Sequence, residues 1–142
     1  MRPGQRIKAR VTQTAEAGFK ITRHEQFPFE GVPAGFQLTK GRYVLAYEGD
    51  LRGEGILEEL KVHFTDTHAA MTGLQQVTGR LGGYSGTFVL NYTAHFRKGL
   101  LTARQIVVPG SATGGLKSLR GEMFYHSKPA EKTAVTFNYY FA

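Results

Sequence analysis

An all-β fold, a single eight-stranded antiparallel barrel, is predicted by three observations on this chain. Runs rich in Val, Thr, Phe, Tyr and Leu recur at short intervals, most breaks between them carry glycine, and no stretch sustains helix formers over several turns. Strands are expected at 17–24, 36–48, 54–64, 68–78, 86–97, 100–108, 119–126 and 133–141. Short connections such as Thr65-Asp66-Thr67 and Arg97-Lys98-Gly99 make neighbours pair as hairpins, and a meander of eight such strands closes most economically into a barrel. At most a turn of helix fits near 14–17 or 115–118.

Alternation assigns the faces. In the third strand Glu54, Ile56, Glu58, Leu60, Val62 and Phe64 share one side, and Gly55, Leu57, Glu59, Lys61 and His63 the other. The first set is the more apolar and is assigned to the interior, which points Glu54 and Glu58 inward. A carboxylate there is costly unless paired, and such a group can act as general acid or base. The structural alternative pairs Glu58 with an arginine such as Arg104 or Arg120. In the fifth strand Phe88, Leu90, Tyr92, Ala94 and Phe96 should fill the barrel, and in the eighth Val135, Phe137, Tyr139 and Phe141. Tyr92 and Tyr139 can present hydroxyls to a ligand.

At 142 residues the chain is one domain, read as a basic arm over 1–14 followed by a barrel over 15–142. The absence of Cys excludes disulfides and thiolate chemistry and fits a reducing cytoplasm. No apolar run of signal-peptide or membrane-span length is present. Net charge is +7, but the cations are scattered and no aromatic nucleic-acid signature accompanies them, so neither nucleic acid nor membrane is the expected partner. His24, His63, His68, His95 and His126 lie on different elements without metal-ligand spacing, and no cofactor is expected. Neither Ser85 nor Ser111 sits in a nucleophile elbow, and Gly82-Gly83-Tyr84-Ser85-Gly86 lacks the Lys of a phosphate loop. The backbone of the loop over 109–115 can hold an anion or can simply turn.

Several blocks in order carry a family resemblance. Gly49-Asp50-Leu51, Gly53-Glu54-Gly55 with Glu58, Gly73-Leu74-Gln75-Gln76-Val77-Thr78-Gly79-Arg80-Leu81, Gly86-Thr87-Phe88-Val89-Leu90, Val107-Val108-Pro109-Gly110-Ser111 and Leu119-Arg120-Gly121-Glu122 resemble a bacterial family of unknown function whose fold is similar to allene oxide cyclase. The resemblance spans about residues 15–141. It implies an axial cavity, a barrel of the allene-oxide-cyclase, dirigent and lipocalin type, and a homo-oligomer. This chain carries Gln75-Gln76 where members usually have Glu-Arg, and Asn91-Tyr92 where Gln-His is common.

The expected function is therefore a small-molecule-binding barrel, acting as a cofactor-independent cyclase or isomerase on a largely apolar ligand. Glu58 or Glu54 would move the proton, and Tyr92, Tyr139, Asn91, Gln76, Arg104, Arg120 and Glu122 would bind the ligand. Alternatives are a carrier or sensor without chemistry, and a hydrolase in which carboxylates such as Glu54, Glu58 and Glu122 flank one bond.

Overall fold

A computed structural model describes residues 11–31, 37–128 and 132–142. Strands β1 (Gln13–Pro28), β2 (Gln37–Gly49), β3 (Leu51–Thr65), β4 (His68–Leu81), β5 (Tyr84–Arg97), β6 (Leu100–Val107), β7 (Leu119–Ser127) and β8 (Thr133–Phe141) close into one antiparallel barrel in chain order. All eight expected strands are present. One 3-10 turn, Gly114–Leu116, takes one of the two places foreseen for a turn of helix, whereas 14–17 is extended within β1. Most of the segment read as a basic arm lies outside the described residues.

One row of cross-strand partners traces the interior. It runs from Ala15 through Phe137, Met123, Gln105, Tyr92, Gly73, Glu59 and Gly41, and returns to β1 at Gln26. The return falls eleven residues beyond the start, which is the stagger that tilted strands need in order to close. Gly41 in this row leaves room for the Tyr43 ring, and Gly73 allows the β3 backbone at Glu58 to approach closely. The inward sets expected for β5 and β8 are inward: Phe88, Leu90, Tyr92 and Ala94, then Val135, Phe137 and Tyr139, are all buried.

The face assigned to β3 is reversed. Leu51, Leu57 and Glu59 are buried, whereas Glu54, Glu58, Leu60 and Phe64 are exposed. The alternation itself holds to the end of the strand, but the outward set carries Ile56, Leu60, Val62 and Phe64 while the inward set gives two positions to Gly53 and Gly55, so the more apolar set is the outer one. Outward Phe64 instead lies against the His68 ring, 5.0 Å between centroids.

The two ends differ. At one, Leu51, Leu81, Leu116 and Leu119 are fully buried and plug the barrel with Phe88 and Phe137. The loop over 109–115 serves this end. β6 is shorter than β5, and the loop continues the pairing that β6 abandons, through Thr113 N–H to Thr87 O (2.8 Å), Val108 N–H to Val89 O (2.8 Å) and Val89 N–H to the Ser111 hydroxyl (3.0 Å). It works as a structural cover for a sheet edge, with Ser111, Thr113 and Leu116 N–H groups already committed to backbone carbonyls.

Candidate functional site

The other end holds a cavity of about 490 Å³, within the range that takes a drug-sized ligand. Its walls are mostly apolar or aromatic, including Phe19, Leu45, Leu57, Met71 and Phe96, and its rim carries His24, His63 and Asp66 near the β3–β4 turn. A depression of about 1030 Å³ on the outer wall, edged by Glu16, Glu48, Arg52 and Lys132, is larger but shallow and open to solvent. The less open cavity at the barrel end is the better candidate because it desolvates more of what it holds.

Glu59 is the chemical centre of that cavity. Alternation along β3 drives it inward between Leu57 and Lys61, and it is only 5% exposed. The Tyr92 hydroxyl donates to Glu59 Oε2 at 3.0 Å, the Tyr43 hydroxyl donates to Oε1 at 3.4 Å, and Lys61 Nζ stands 3.6 Å from Oε1. Burial, reinforced by the neighbouring Tyr125 phenol and by Glu59, pushes the Tyr92 phenol far above its ordinary range, and burial followed by Glu59 does the same to Tyr43. Both therefore remain protonated donors at neutral pH. A carboxylate held by two phenols and an ammonium is a buried charge with its partners supplied.

A second polar layer lies beside it. The Tyr47 hydroxyl donates to Gln75 Oε1 (2.6 Å), Gln75 Nε2 donates to Gln105 Oε1 (2.8 Å), and Gln105 Nε2 donates to the Tyr125 hydroxyl (3.0 Å). Gln75 and Gln105 are fully buried. Among the described residues no buried side-chain polar atom lacks a partner. Both positions where the chain departs from the resemblance in an inward residue, Gln75 and Tyr92, fall in these two layers.

At the rim, His63 Nε2 and the Thr39 hydroxyl are 3.1 Å apart, and Gln26 Nε2 donates to the same hydroxyl at 3.0 Å. Burial and, secondarily, Lys61 hold the His63 pKa below its usual value against the opposing pull of Glu59. A histidine depressed in the folded state is neutral there while the unfolded chain still takes a proton. Its contribution is thus present above about pH 6.5 and is lost as pH falls below it. Replacing His63 by Gln is expected to flatten the decline of the thermal midpoint between pH 6.5 and 5; an unchanged slope would assign that decline elsewhere.

The residues singled out from sequence scatter. Tyr92 alone among them lines the cavity. Tyr139 is buried near the plugged end, its hydroxyl donating to Gln13 Oε1 at 3.1 Å. Glu54, Gln76 and Asn91 are exposed on the outer wall. Glu58 is exposed there too and pairs with Arg42 at 2.7 Å, in place of the Arg104 or Arg120 named as its alternative partners. Arg104 is bound to Glu122, and half-buried Arg120 donates to Leu119 O at 3.2 Å. Along the cross-strand row Glu58 and Glu122 are four strands apart, about 19 Å of wall, so these carboxylates do not flank one bond. An exposed pair such as Arg42 and Glu58 contributes little. Glu58→Ala should cost no more than about 1 kcal/mol in denaturant unfolding and leave cavity binding intact.

Glu59, Lys61, Tyr43, Gln105 and Tyr125 were missed. The signal that finds Glu59 is register: cross-strand partners share a face, and Tyr92, correctly placed inside, opposes Gly73, which opposes Glu59. Among the described residues no three metal-ligating side chains gather, and no helix is long and apolar enough to cross a membrane.

Fold and site together define a closed eight-stranded antiparallel barrel with a plugged end and a cavity at the other end built around a buried carboxylate. A family model described as "Protein of unknown function (DUF3224)" matches residues 15–139, and the chain belongs to that family. It is similar to a crystal structure of a DUF3224-family protein of unknown function from Shewanella oneidensis MR-1, with 22% identity and a TM-score of 0.76 over 93% of this chain and 99% of that one. At that identity the likeness bears on the fold. Comparison with curated proteins finds no match.

Proposed function

We propose that the barrel binds a small, largely apolar molecule in its cavity and moves a proton within it, as a cofactor-independent isomerase or cyclase with Glu59 as the base. One observation carries this reading: a carboxylate 5% exposed, set into an apolar-walled cavity of about 490 Å³ with Lys61 3.6 Å away. Positioning of this kind supplies much of a proton-transfer barrier without a cofactor.

The step balances as follows. Glu59 takes a proton from a carbon beside a ligand carbonyl, the C–H electron pair becomes a carbon–carbon double bond, and the carbonyl electrons move to oxygen. A hydroxyl of the cavity wall hydrogen-bonds that oxygen as charge develops on it, while Lys61 stays beside Glu59. In a β,γ-unsaturated ligand the product of this step is a dienolate; as the oxygen electrons re-form the carbonyl, the double bond shifts to the α,β position and the γ carbon takes the proton back from Glu59, which completes the isomerisation. The phenols of Tyr92 and Tyr43 hold the carboxylate in place and are not consumed.

The test is incorporation of solvent deuterium into molecules of a cell extract incubated with the protein in heavy water. Wild type is expected to label one largely apolar species, and Glu59→Gln to reduce that labelling by about 100-fold or more. Retention of a ligand by both proteins with labelling by neither would instead identify a carrier. The carrier reading has one observation in its favour, since among the described residues every buried side-chain polar atom already has a partner within the protein.

A further inference from the structure

The relay from Tyr47 to Tyr125 has a direction. A phenol has one hydrogen to donate, and an amide has one donor end and one acceptor end. With Tyr47 donating to Gln75, Gln75 to Gln105, and Gln105 to Tyr125, the hydroxyl hydrogen left over is that of Tyr125; the second hydrogens of the two amides belong to residues that do not line the cavity. Turning both amides over would reverse the relay and leave the Tyr47 hydrogen over instead. Tyr47 is 2% exposed, packs against Phe19 at 5.7 Å and borders the outer-wall depression but not this cavity, so that arrangement would leave its hydrogen out of reach of a ligand held in the cavity. Tyr125 does line the cavity, where a ligand can accept its hydrogen.

We propose that Tyr125 is the cavity's hydrogen-bond donor to its ligand, and that this ligand carries a neutral acceptor oxygen, a ketone, aldehyde or ester carbonyl, on an otherwise apolar frame. This rests on the reading of the cavity as a small-molecule site and specifies its chemistry. Burial keeps the Tyr125 phenol protonated well beyond neutral pH, so the donor is always available. A carboxylate ligand is disfavoured, because Lys61 already serves Glu59 and a second anion would share the cavity with that carboxylate. A carbonyl also acidifies the neighbouring C–H that Glu59 would remove. Gln75 and Gln105 act as positioning residues, fixing the one hydroxyl whose hydrogen is free to point at the ligand.

The test uses two probes of the same shape, 2-acetylnaphthalene and 2-isopropenylnaphthalene, which differ by a carbonyl oxygen in place of a methylene. Wild type is expected to bind the ketone about fivefold more tightly, the return on one net hydrogen bond. Tyr125→Phe is expected to bind both alike, with the hydrocarbon's affinity unchanged from wild type. The carbonyl stretch of bound ketone should lie at lower frequency in wild type than in Tyr125→Phe, a readout that a packing role for Tyr125 would not move. Should Tyr125→Phe not fold, Gln105→Leu provides the same comparison, with the ketone preference reduced because the hydroxyl loses its orientation. Equal affinity of wild type for both probes, or an unshifted stretch, would overturn the assignment of Tyr125 and leave the cavity site standing. Binding of neither probe by folded wild type would overturn the cavity reading and this inference with it.

Discussion

Gly86→Ala is expected to destabilise the barrel by about 3–5 kcal/mol and to lower its thermal midpoint by on the order of 10 °C. A methyl group at this position would collide with the carbonyl oxygen of Thr113, with the Thr113 carbonyl carbon at 3.0 Å and Leu116 Cβ at 3.4 Å. The first two are backbone atoms of the loop that finishes the sheet edge, so no side-chain rotation relieves the clash. The loop must lift, which endangers the Thr113–Thr87 backbone bond, the paired threonine hydroxyls at 2.6 Å and the fully buried Leu116 plug. Gly83→Ala is the control. Nothing lies within 4 Å of a methyl there and the backbone is not left-handed, so the change should be neutral or stabilising by up to about 1 kcal/mol. Denaturant unfolding of the two variants measures the contrast; equal effects would mean that the loop does not hold the edge.

Ala69→Phe is expected to abolish ligand retention while keeping the fold. Ala69 is 3% exposed and lines the cavity, so a phenyl group there enters empty space and meets no packed core. Overfilling a tight core costs about 1–3 kcal/mol, and the penalty here should fall at or below the lower end because a cavity of about 490 Å³ receives the ring. The substitution leaves Glu59, Lys61 and the phenols in place. It therefore separates occupancy of the cavity from the chemistry of its polar groups.

The fold was legible because local signals agreed with one another. Short turns, glycine breaks and β-rich runs placed all eight strands, and β5 and β8 alternate so cleanly that Phe88, Tyr92, Phe137 and Tyr139 were assigned correctly. The site was not legible in the same way. β3 has apolar residues on both faces, and its interior spends positions on Gly53 and Gly55, so counting hydrophobic residues favoured the outer side. Gly55 illustrates the trade: a methyl group there would run into the Gln75 amide, which means the interior gives up a side chain on β3 to seat a polar one from β4. The relay of Tyr47, Gln75, Gln105 and Tyr125 draws on four strands whose residues lie 20 or more positions apart at each link, and only closure of the barrel brings them together. A resemblance built from ordered blocks located the family, yet most of those blocks shape turns and walls. Of its residues, Gln75 reaches the interior polar layers, and it does so at a position where the chain differs from the pattern.

The central claim is that the cavity around Glu59 holds a small molecule. Native mass spectrometry of wild type and Ala69→Phe, each exposed to the same cell extract and separated from it under mild conditions, tests this most directly. The account predicts that wild type retains one largely apolar molecule per barrel and that Ala69→Phe, folded by circular dichroism, retains none. Equal retention by both proteins, or a wild-type barrel that emerges folded and empty from every extract offered, would contradict it.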